Sequence, residues 1–385
     1  MTIYIPQPTR WHAIVDTIVN LEKLRTKILA WDVPPYIFFQ LKSIFHKLET
    51  LWSARIEWNN TTLAEYVEDS IRNFTDSKKT SSKQELYNLE QAIKYIEEWT
   101  LTDTLITRKY ISDLHILVTQ NLPSPPVWEG SYCPWSRRSH NVQIKNSSHI
   151  PPDYIMVPDC MEELFDFINR PYPEKDQLLM IAITHHRFAY IHPFDNGNGR
   201  IGRLLNYALL IKLWFQVKQG RLFNPSAVFY TDRNLYYNKL WLADSLSDQH
   251  ILDWSNYFLV WLKNEIEKVD ILLQKKYVTK KILLPSLIIA LENKIITDDE
   301  YKILYHIVES SQMQVKSEDL DVLLWIKNSV SKSRFMSKMK NKWILKTIKK
   351  DGRIYTINFE NNYLLRSIIQ TLYKEWFVAD FLNNN

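Results

Sequence analysis

The residues best equipped for chemistry lie together between Ile191 and Leu205, in the run Ile-His-Pro-Phe-Asp-Asn-Gly-Asn-Gly-Arg-Ile-Gly-Arg-Leu-Leu. The chain has only 6 glycines in 385 residues, and half of them, Gly197, Gly199 and Gly202, fall here. Glycine is costly in conformational entropy and is placed where a side chain cannot fit or φ must be positive. Gly197-Asn198-Gly199 can turn successive backbone N–H groups toward one point, forming an anion nest at the start of a helix. Arg200 and Arg203, at i and i+3, share one face of that helix, and each offers a planar fork to phosphate oxygens. His192 directly precedes Pro193, which pushes its backbone to an extended or turn conformation and sets it at the end of a helix. Alone it reads as a satisfied core histidine. Beside a phosphate site it can take a proton from an incoming hydroxyl.

This stretch resembles the signature of the Fic family, His-Pro-Phe-x-(Asp/Glu)-Gly-Asn-Gly-Arg-x-x-Arg, and eight of its nine defined positions match. Members of that family transfer AMP from ATP to protein hydroxyls. The resemblance implies His192 as the general base that activates a target Tyr, Thr or Ser hydroxyl for attack on the α-phosphate. It implies ATP held along Gly197, Asn198, Gly199, Arg200, Ile201, Gly202 and Arg203, with the two arginines on the β- and γ-phosphates. Phe194 would be buried and anchor the loop. The departure is Asn196, which stands where the family has a carboxylate for Mg²⁺. Asn offers a carbonyl oxygen but no charge, and Mg²⁺ (or Mn²⁺ in its place) favours one or two carboxylates plus substrate phosphates. Asp195 substitutes only if the turn is re-registered.

Three further stretches gain a reading from the same resemblance. Ser53-Ala-Arg-Ile-Glu57 is similar to the inhibitory motif (Ser/Thr)-x-x-x-Glu-(Gly/Asn), with Trp58 in place of Gly or Asn. It implies that Glu57 pairs with Arg203 and blocks the productive pose of the γ-phosphate. Ser139 to Ile144, ending at His149-Ile-Pro-Pro152, resembles the flap hairpin, where a protein target adds a strand along Val142, Gln143 and Ile144. Arg233 to Tyr237 with Asp244 resembles the border of adenine and ribose, which assigns Tyr236 and Asp244 to nucleotide binding. A tyrosine on an amphipathic helix belongs to a core just as readily.

The elements that must carry these residues are mostly helical. Apolar residues recur at helical spacing from Trp11 to Leu51, with Trp31-Asp-Val-Pro-Pro35 as the break of a helical hairpin. Thr62 to Glu65 is shaped like a capping box, and Asp76 to Lys83 reads as a polar loop. Helices are expected at 85–99, 103–122, 160–168, 176–191, 233–246 and 251–268, and Leu204 to Phe215 is apolar all round, as in a buried helix. Aromatics and short alternation over 127–144 favour a hairpin. The expected fold class is mainly α: a Fic-like helical bundle with a β-hairpin flap, plus a small C-terminal winged-helix domain. The expected domains are 1–75 (helical, with the inhibitory motif), 76–272 (catalytic) and 273–385 (winged-helix-like), with Lys275 to Lys281 as a basic linker or exposed helix end. The resemblance covers roughly Trp11 to Val269, about two thirds of the chain.

In the last domain, three short helical patterns at 298–309, 317–325 and 330–341 precede a strand, an Asp351-Gly352 turn and a second strand. Between Lys327 and Arg353 there are ten Lys or Arg and one acid, Asp351, a pattern suited to a phosphate backbone or to a solvated, protein-binding face. The net charge of +5 over the whole chain says little about partners. Two cysteines, Cys133 and Cys160, argue against a disulfide framework. No signal peptide is visible and no apolar run reaches the roughly 18 residues a membrane span needs, so a cytoplasmic protein is expected. Only the extreme end, Asn383 to Asn385, reads as disordered. Two functions follow. The first is an adenylyltransferase restrained by Glu57, with ATP, a protein substrate and no membrane as its partners. The second is a DNA-binding regulator whose Fic-like domain senses nucleotide with weak or no turnover. A homodimer stays open.

Overall fold

The computed structural model describes residues 2–26, 32–71, 80–124, 127–128, 130–131, 133, 136–144, 147, 149–213, 226, 229–230, 232–349, 352–360 and 362–378. The expectations that rest on Trp31, on 76–79, on Trp214 and Phe215, on Lys350 and Asp351, and on 383–385 lie outside them. Two compact units share the chain, one built from 1–27, 46–61 and 78–267, the other from 28–45, 62–77 and 268–385. They are interleaved along the sequence rather than consecutive.

Helix α1 (Ile14–Thr26) opens the first unit, and α2 (Pro35–Ile56) brings Ser53 and Glu57 into it at its C-terminal end. Helix α3 (Leu63–Ile71) belongs to the second unit. The first unit continues with α4 (Ser81–Trp99), α5 (Arg108–Thr119) and α6 (Val157–Asn169). It is organised around α7 (Glu174–Ile191) and α8 (Asn198–Lys212), which pack on each other. Both are buried on nearly every side, and the apolar run Leu204 to Ile211 accounts for this in α8. Helices α1 and α6 pack on α7, while α4 and α5 pack on each other and on α8. Thr80 and Thr107 cap the starts of α4 and α5 by accepting hydrogen bonds from Lys83 and Tyr110 backbone N–H groups.

The segment 139–144 carries no ladder, and no strand pairing occurs among the described residues of 127–149. The expected hairpin is therefore an irregular strip, although Asn141 and Gln143 are exposed while Val142 and Ile144 are half-buried. That alternation is what the sequence pattern registered; strand pairing is a separate matter that one strip cannot supply.

In the second unit a three-stranded antiparallel sheet has the order β1 (Val315–Lys316), β3 (Ile354–Ile357), β2 (Leu345–Thr347). The chain runs helix Asp298–Glu309, β1, helix Leu320–Leu323, helix Ser329–Asn341, β2, β3. Strand β1 is too short to leave a period in the sequence. Gln40, fully buried, closes the end of β3 by donating to Ile357 O (3.0 Å) and accepting from Phe359 N (2.9 Å). Thr62 and Glu65 form the capping box that the sequence suggested at the start of α3, with Glu65 N donating to Thr62 Oγ1 and Thr62 N to Glu65 Oε2. Of the two readings of Lys275 to Lys281, an exposed helix end rather than a linker is found, with Lys276, Lys280 and Lys281 exposed. Residues 275–277 are helical and Val278–Leu283 continue as π-helix, because Val278, Ile282 and Leu283 must all be buried and i→i+5 bonding brings them to one side.

Candidate functional site

Helix α7 ends at His192, which adopts the left-handed conformation, φ 51° and ψ 61°, the turn rather than the extended one of the two conformations expected before proline. Its N–H still closes the helix on Phe188 O (3.1 Å). A left-handed non-glycine residue costs roughly 1–2 kcal/mol, so the position is held by its surroundings. The loop that follows is stapled by Asn198, whose side chain accepts from Phe194 N (3.0 Å) and donates to Phe194 O (2.8 Å). Phe194 is buried as expected and stacks on His115 of α5 at 3.9 Å between ring centroids. Gly197 has φ 81° and caps α8, leaving first-turn N–H groups that no helical carbonyl can reach. Those of Asn198 and Gly199 are the donors that an anion nest at this turn would use.

Glu57 sits over that turn. A Cβ on Gly199 would collide with Glu57 Oε1 and stand 3.1 Å from Arg203 Nη1, so only glycine admits the carboxylate at this point. Arg203 Nη2 donates to Glu57 Oε1 (2.9 Å) and to Ser53 O (2.9 Å), while its Nε donates to Ser53 Oγ (3.0 Å). Its Nη1, although buried, has no partner among the described residues. Burial pushes the Glu57 carboxyl upward, but Arg203 and Arg200 outweigh it and hold the group below the ordinary range.

Local structure explains how α2 delivers this carboxylate. Trp58 N donates to Arg55 O and Asn59 N to Ala54 O, the paired bonds of a helix stop with Glu57 at the cap. The stop needs a left-handed residue next, and Trp58 supplies it at φ 69°. Gly or Asn would do so at lower cost; Trp58 instead lies under the Arg233 guanidinium, 3.6 Å from its ring centroid, a cation–π contact that offsets the strain. A carboxylate at a helix C-terminus opposes the macrodipole, so Glu57 depends on its arginines.

Arg200 is engaged differently from expectation. It is fully buried and paired with Glu85 of α4 at 2.8 Å. The other Glu85 oxygen accepts from Asn59 Nδ2 (2.8 Å), which also donates to Ser82 O (3.2 Å). The residue after the α2 stop is thus tied to the α8 arginine through one buried carboxylate. Burial raises the Glu85 pKa in spite of Arg200. Sequence reading missed Glu85 and Asn59. The signal for Glu85 was an acid standing on the apolar stripe of α4, beside Leu86, Leu89 and Ile93.

Other expected site residues lie elsewhere. Ile201 is core, and Gly202 faces Phe188 and His185 of α7. Tyr236 is buried with its hydroxyl bonded to His185 Nε2 (2.9 Å), in the core reading of that tyrosine. Asp244 divides its two oxygens between His186 Nε2 (3.0 Å) and His149 Nδ1 (3.1 Å) and is not joined to the Arg203 cluster by any of these bonds. Val142, Gln143 and Ile144 lie on the unpaired strip described above.

The donors near Asn196 do not suit Mg²⁺. Its amide nitrogen donates to Gly130 O (3.2 Å), its main-chain oxygen meets His115 Nε2 (3.2 Å), and Asp195 lies 3.8 Å from His140 Nε2. No group of three His, Cys, Asp or Glu suited to a metal occurs among the described residues. Nor is any described helix long and apolar enough to cross a membrane.

Residues 105–210, which contain the α7–α8 turn, match the Fic/DOC family. The fold agrees. The crystal structure of a Fic family protein from Desulfovibrio desulfuricans G20 superposes with a TM-score of 0.56 at 20% identity, covering 92% of this chain and 98% of that one. A Fic domain containing signaling protein from Bacteroides thetaiotaomicron gives 0.50 at 18% identity, over 67% and 96%. Among curated relatives, the protein adenylyltransferase Fic of Drosophila willistoni is 29% identical over 194 residues, 50% of this chain and 36% of that protein. The protein of the same name from Nematostella vectensis is 28% identical over 162 residues, 40% and 33% of the two lengths. Over residues 105–210, and in its fold, this chain is similar to Fic domain proteins. The chain spans about a third of the length of the curated relatives.

The electrostatics of His192 can be tested directly. Burial pushes its imidazole down to about 4, against a hydrogen bond to the Ala189 backbone and the charge of Glu57, both of which raise it; His149 and Arg138 lower it. The ring therefore keeps its free lone pair at every pH well above 4. Carbon- and nitrogen-detected NMR of the imidazole should show it neutral from pH 8 down to about 5. A midpoint near the ordinary 6.5 would contradict this environment.

Proposed function

We propose that the protein is an adenylyltransferase restrained by Glu57, which moves AMP from ATP to a Tyr, Thr or Ser hydroxyl of a protein target. The observation that carries the reading is the buried Arg203, whose guanidinium is spent on Glu57 and Ser53 while Nη1 stays unpartnered beside the α8 nest. A phosphate in the nest would meet the N–H groups of the first turn, Nη1, and the fork that Glu57 now occupies. His192, at the mouth of the same turn, takes the proton of the incoming hydroxyl. The hydroxyl oxygen bonds to the α-phosphorus, the bond to the bridging oxygen breaks, and pyrophosphate leaves. An imidazole near 4 is a weak base; the charge of a bound triphosphate raises it toward the working range. The half-buried and exposed alternation of 141–144 supports main-chain docking of an extended target segment there. Cytoplasmic location is proposed with this reading.

Incubation with α-labelled ATP tests it. Glu57→Gly should raise transfer by about 10- to 100-fold, matching the ~1.5–3 kcal/mol of a hydrogen bond to a charged group, and His192→Ala in that background should lower it by about 10²- to 10⁴-fold. No label on Glu57→Gly or on any lysate protein would sink the proposal.

The second unit supports an additional reading, contact with nucleic acid. Ser333, Arg334, Ser337, Lys338 and Asn341 are exposed on the helix Ser329–Asn341, whose Met336 and Met339 are buried, and the helix–strand order described above supports a winged-helix reading. Duplex DNA binding measured by anisotropy should weaken steeply with salt, with a slope that shrinks by about one for each phosphate-contacting cation removed. An unchanged slope in Arg334→Glu/Lys338→Glu, or no binding at low salt, would leave the face to protein partners.

A further inference from the structure

Arg138 lies in the irregular strip between α5 and α6, outside the signature, and only 4% of it is exposed. Its guanidinium meets no carboxylate by hydrogen bond among the described residues. Every acceptor is a main-chain carbonyl: His192 O from Nε (2.9 Å), His140 O from Nη1 (3.0 Å), and Pro152 O and, at 3.5 Å, Ile191 O from Nη2. The Arg138 N–H completes the set by donating to Pro193 O (3.0 Å). The C-terminus of α7 leaves carbonyls that its own helix cannot satisfy and carries the negative end of the macrodipole. A buried cation with a rigid fork answers both.

The consequence falls on His192. Its left-handed backbone is held on the N–H side by Phe188 O and on the carbonyl side by Arg138 Nε, while Pro193 is held by the Arg138 main chain. We propose that Arg138 is the positioning residue of the catalytic base: it locks His192 in the left-handed turn that aims the imidazole over the α8 nest, and through His140 and Pro152 it ties that aim to the strip on which the target docks. This rests on the adenylyltransferase reading. Lysine cannot replace it, because one ammonium cannot span carbonyls from three separate stretches with fixed geometry.

The test uses the full chain with Glu57→Gly, combined with Arg138→Lys or Arg138→Ala. In either variant kcat should fall about 10- to 100-fold while KM for ATP moves by less than about threefold, the pattern of an interaction needed in the transition state. In Arg138→Lys, which keeps the positive charge that itself holds the imidazole down, the His192 midpoint should still rise from about 4 toward its ordinary value as the ring escapes its buried setting. Added guanidinium ion should restore part of the rate and the low midpoint in Arg138→Ala. A folded Arg138→Lys with unchanged kcat and an unmoved midpoint overturns the proposal. So does a loss of rate with the midpoint unmoved and no rescue, which would make Arg138 a loop staple only. If Glu57→Gly itself transfers nothing, the functional reading fails, and the imidazole titration still decides whether Arg138 holds His192.

Discussion

The structure of the site depends on one contested cation. Arg203 is buried in the first unit with Nη1 unpartnered among the described residues, while Ser53 of α2 and Glu57 at its end accept from Nε and Nη2. Each partner has a reason to be there. A guanidinium in a dry cleft needs an anion, and a carboxylate at a helix C-terminus needs a cation. The pair is stable because both would be worse off alone. On the proposed function the same pair is displaceable, because a phosphate would meet Arg203 and the first-turn N–H groups of α8 at once, whereas Glu57 stands in the space that Gly199 leaves.

Around this pair the surrounding groups fix geometry. Asn198 staples the loop to Phe194, His115 supports Phe194 from α5, and the Schellman-type stop at Trp58 sets the angle at which Glu57 enters. Glu85 and Asn59 tie the residue beyond that stop to Arg200, so the end of α2 and the start of α8 share a buried network. Such networks are rigid when fully satisfied and costly when one member is lost. Arg138 extends the same logic to the other side of the turn, where His192 is held in a conformation that it would not choose alone.

Much of this was legible in sequence, and the limits are physical. Three glycines in a glycine-poor chain, with a histidine and two arginines at fixed offsets, marked the α7–α8 turn, and the resemblance of Ser53–Glu57 to the Fic inhibitory motif implied the pairing of Glu57 with Arg203 that the structure contains. The capping box at Thr62 and the buried α8 were read from local pattern, which local physics decides. What sequence could not give were contacts made across distance: Arg200 choosing Glu85, Asp244 choosing two histidines, Tyr236 choosing His185. The strip at 139–144 shows a different limit. Alternation marks a segment with two faces, but pairing needs a neighbour that alternation does not name. At 275–283 the sequence left linker and exposed helix end open, since charged residues at a helix surface resemble a linker when burial of Val278 and Ile282 is not visible.

The central claim is that Glu57 and the terminal phosphate of ATP compete for Arg203. Calorimetric titration of ATP, ADP and AMP into the protein and into Glu57→Gly tests it without relying on turnover. The account predicts that the substitution tightens ATP by about tenfold or more, with a progressively smaller gain for ADP and almost none for AMP. Equal gains for all three nucleotides, or none, would contradict it.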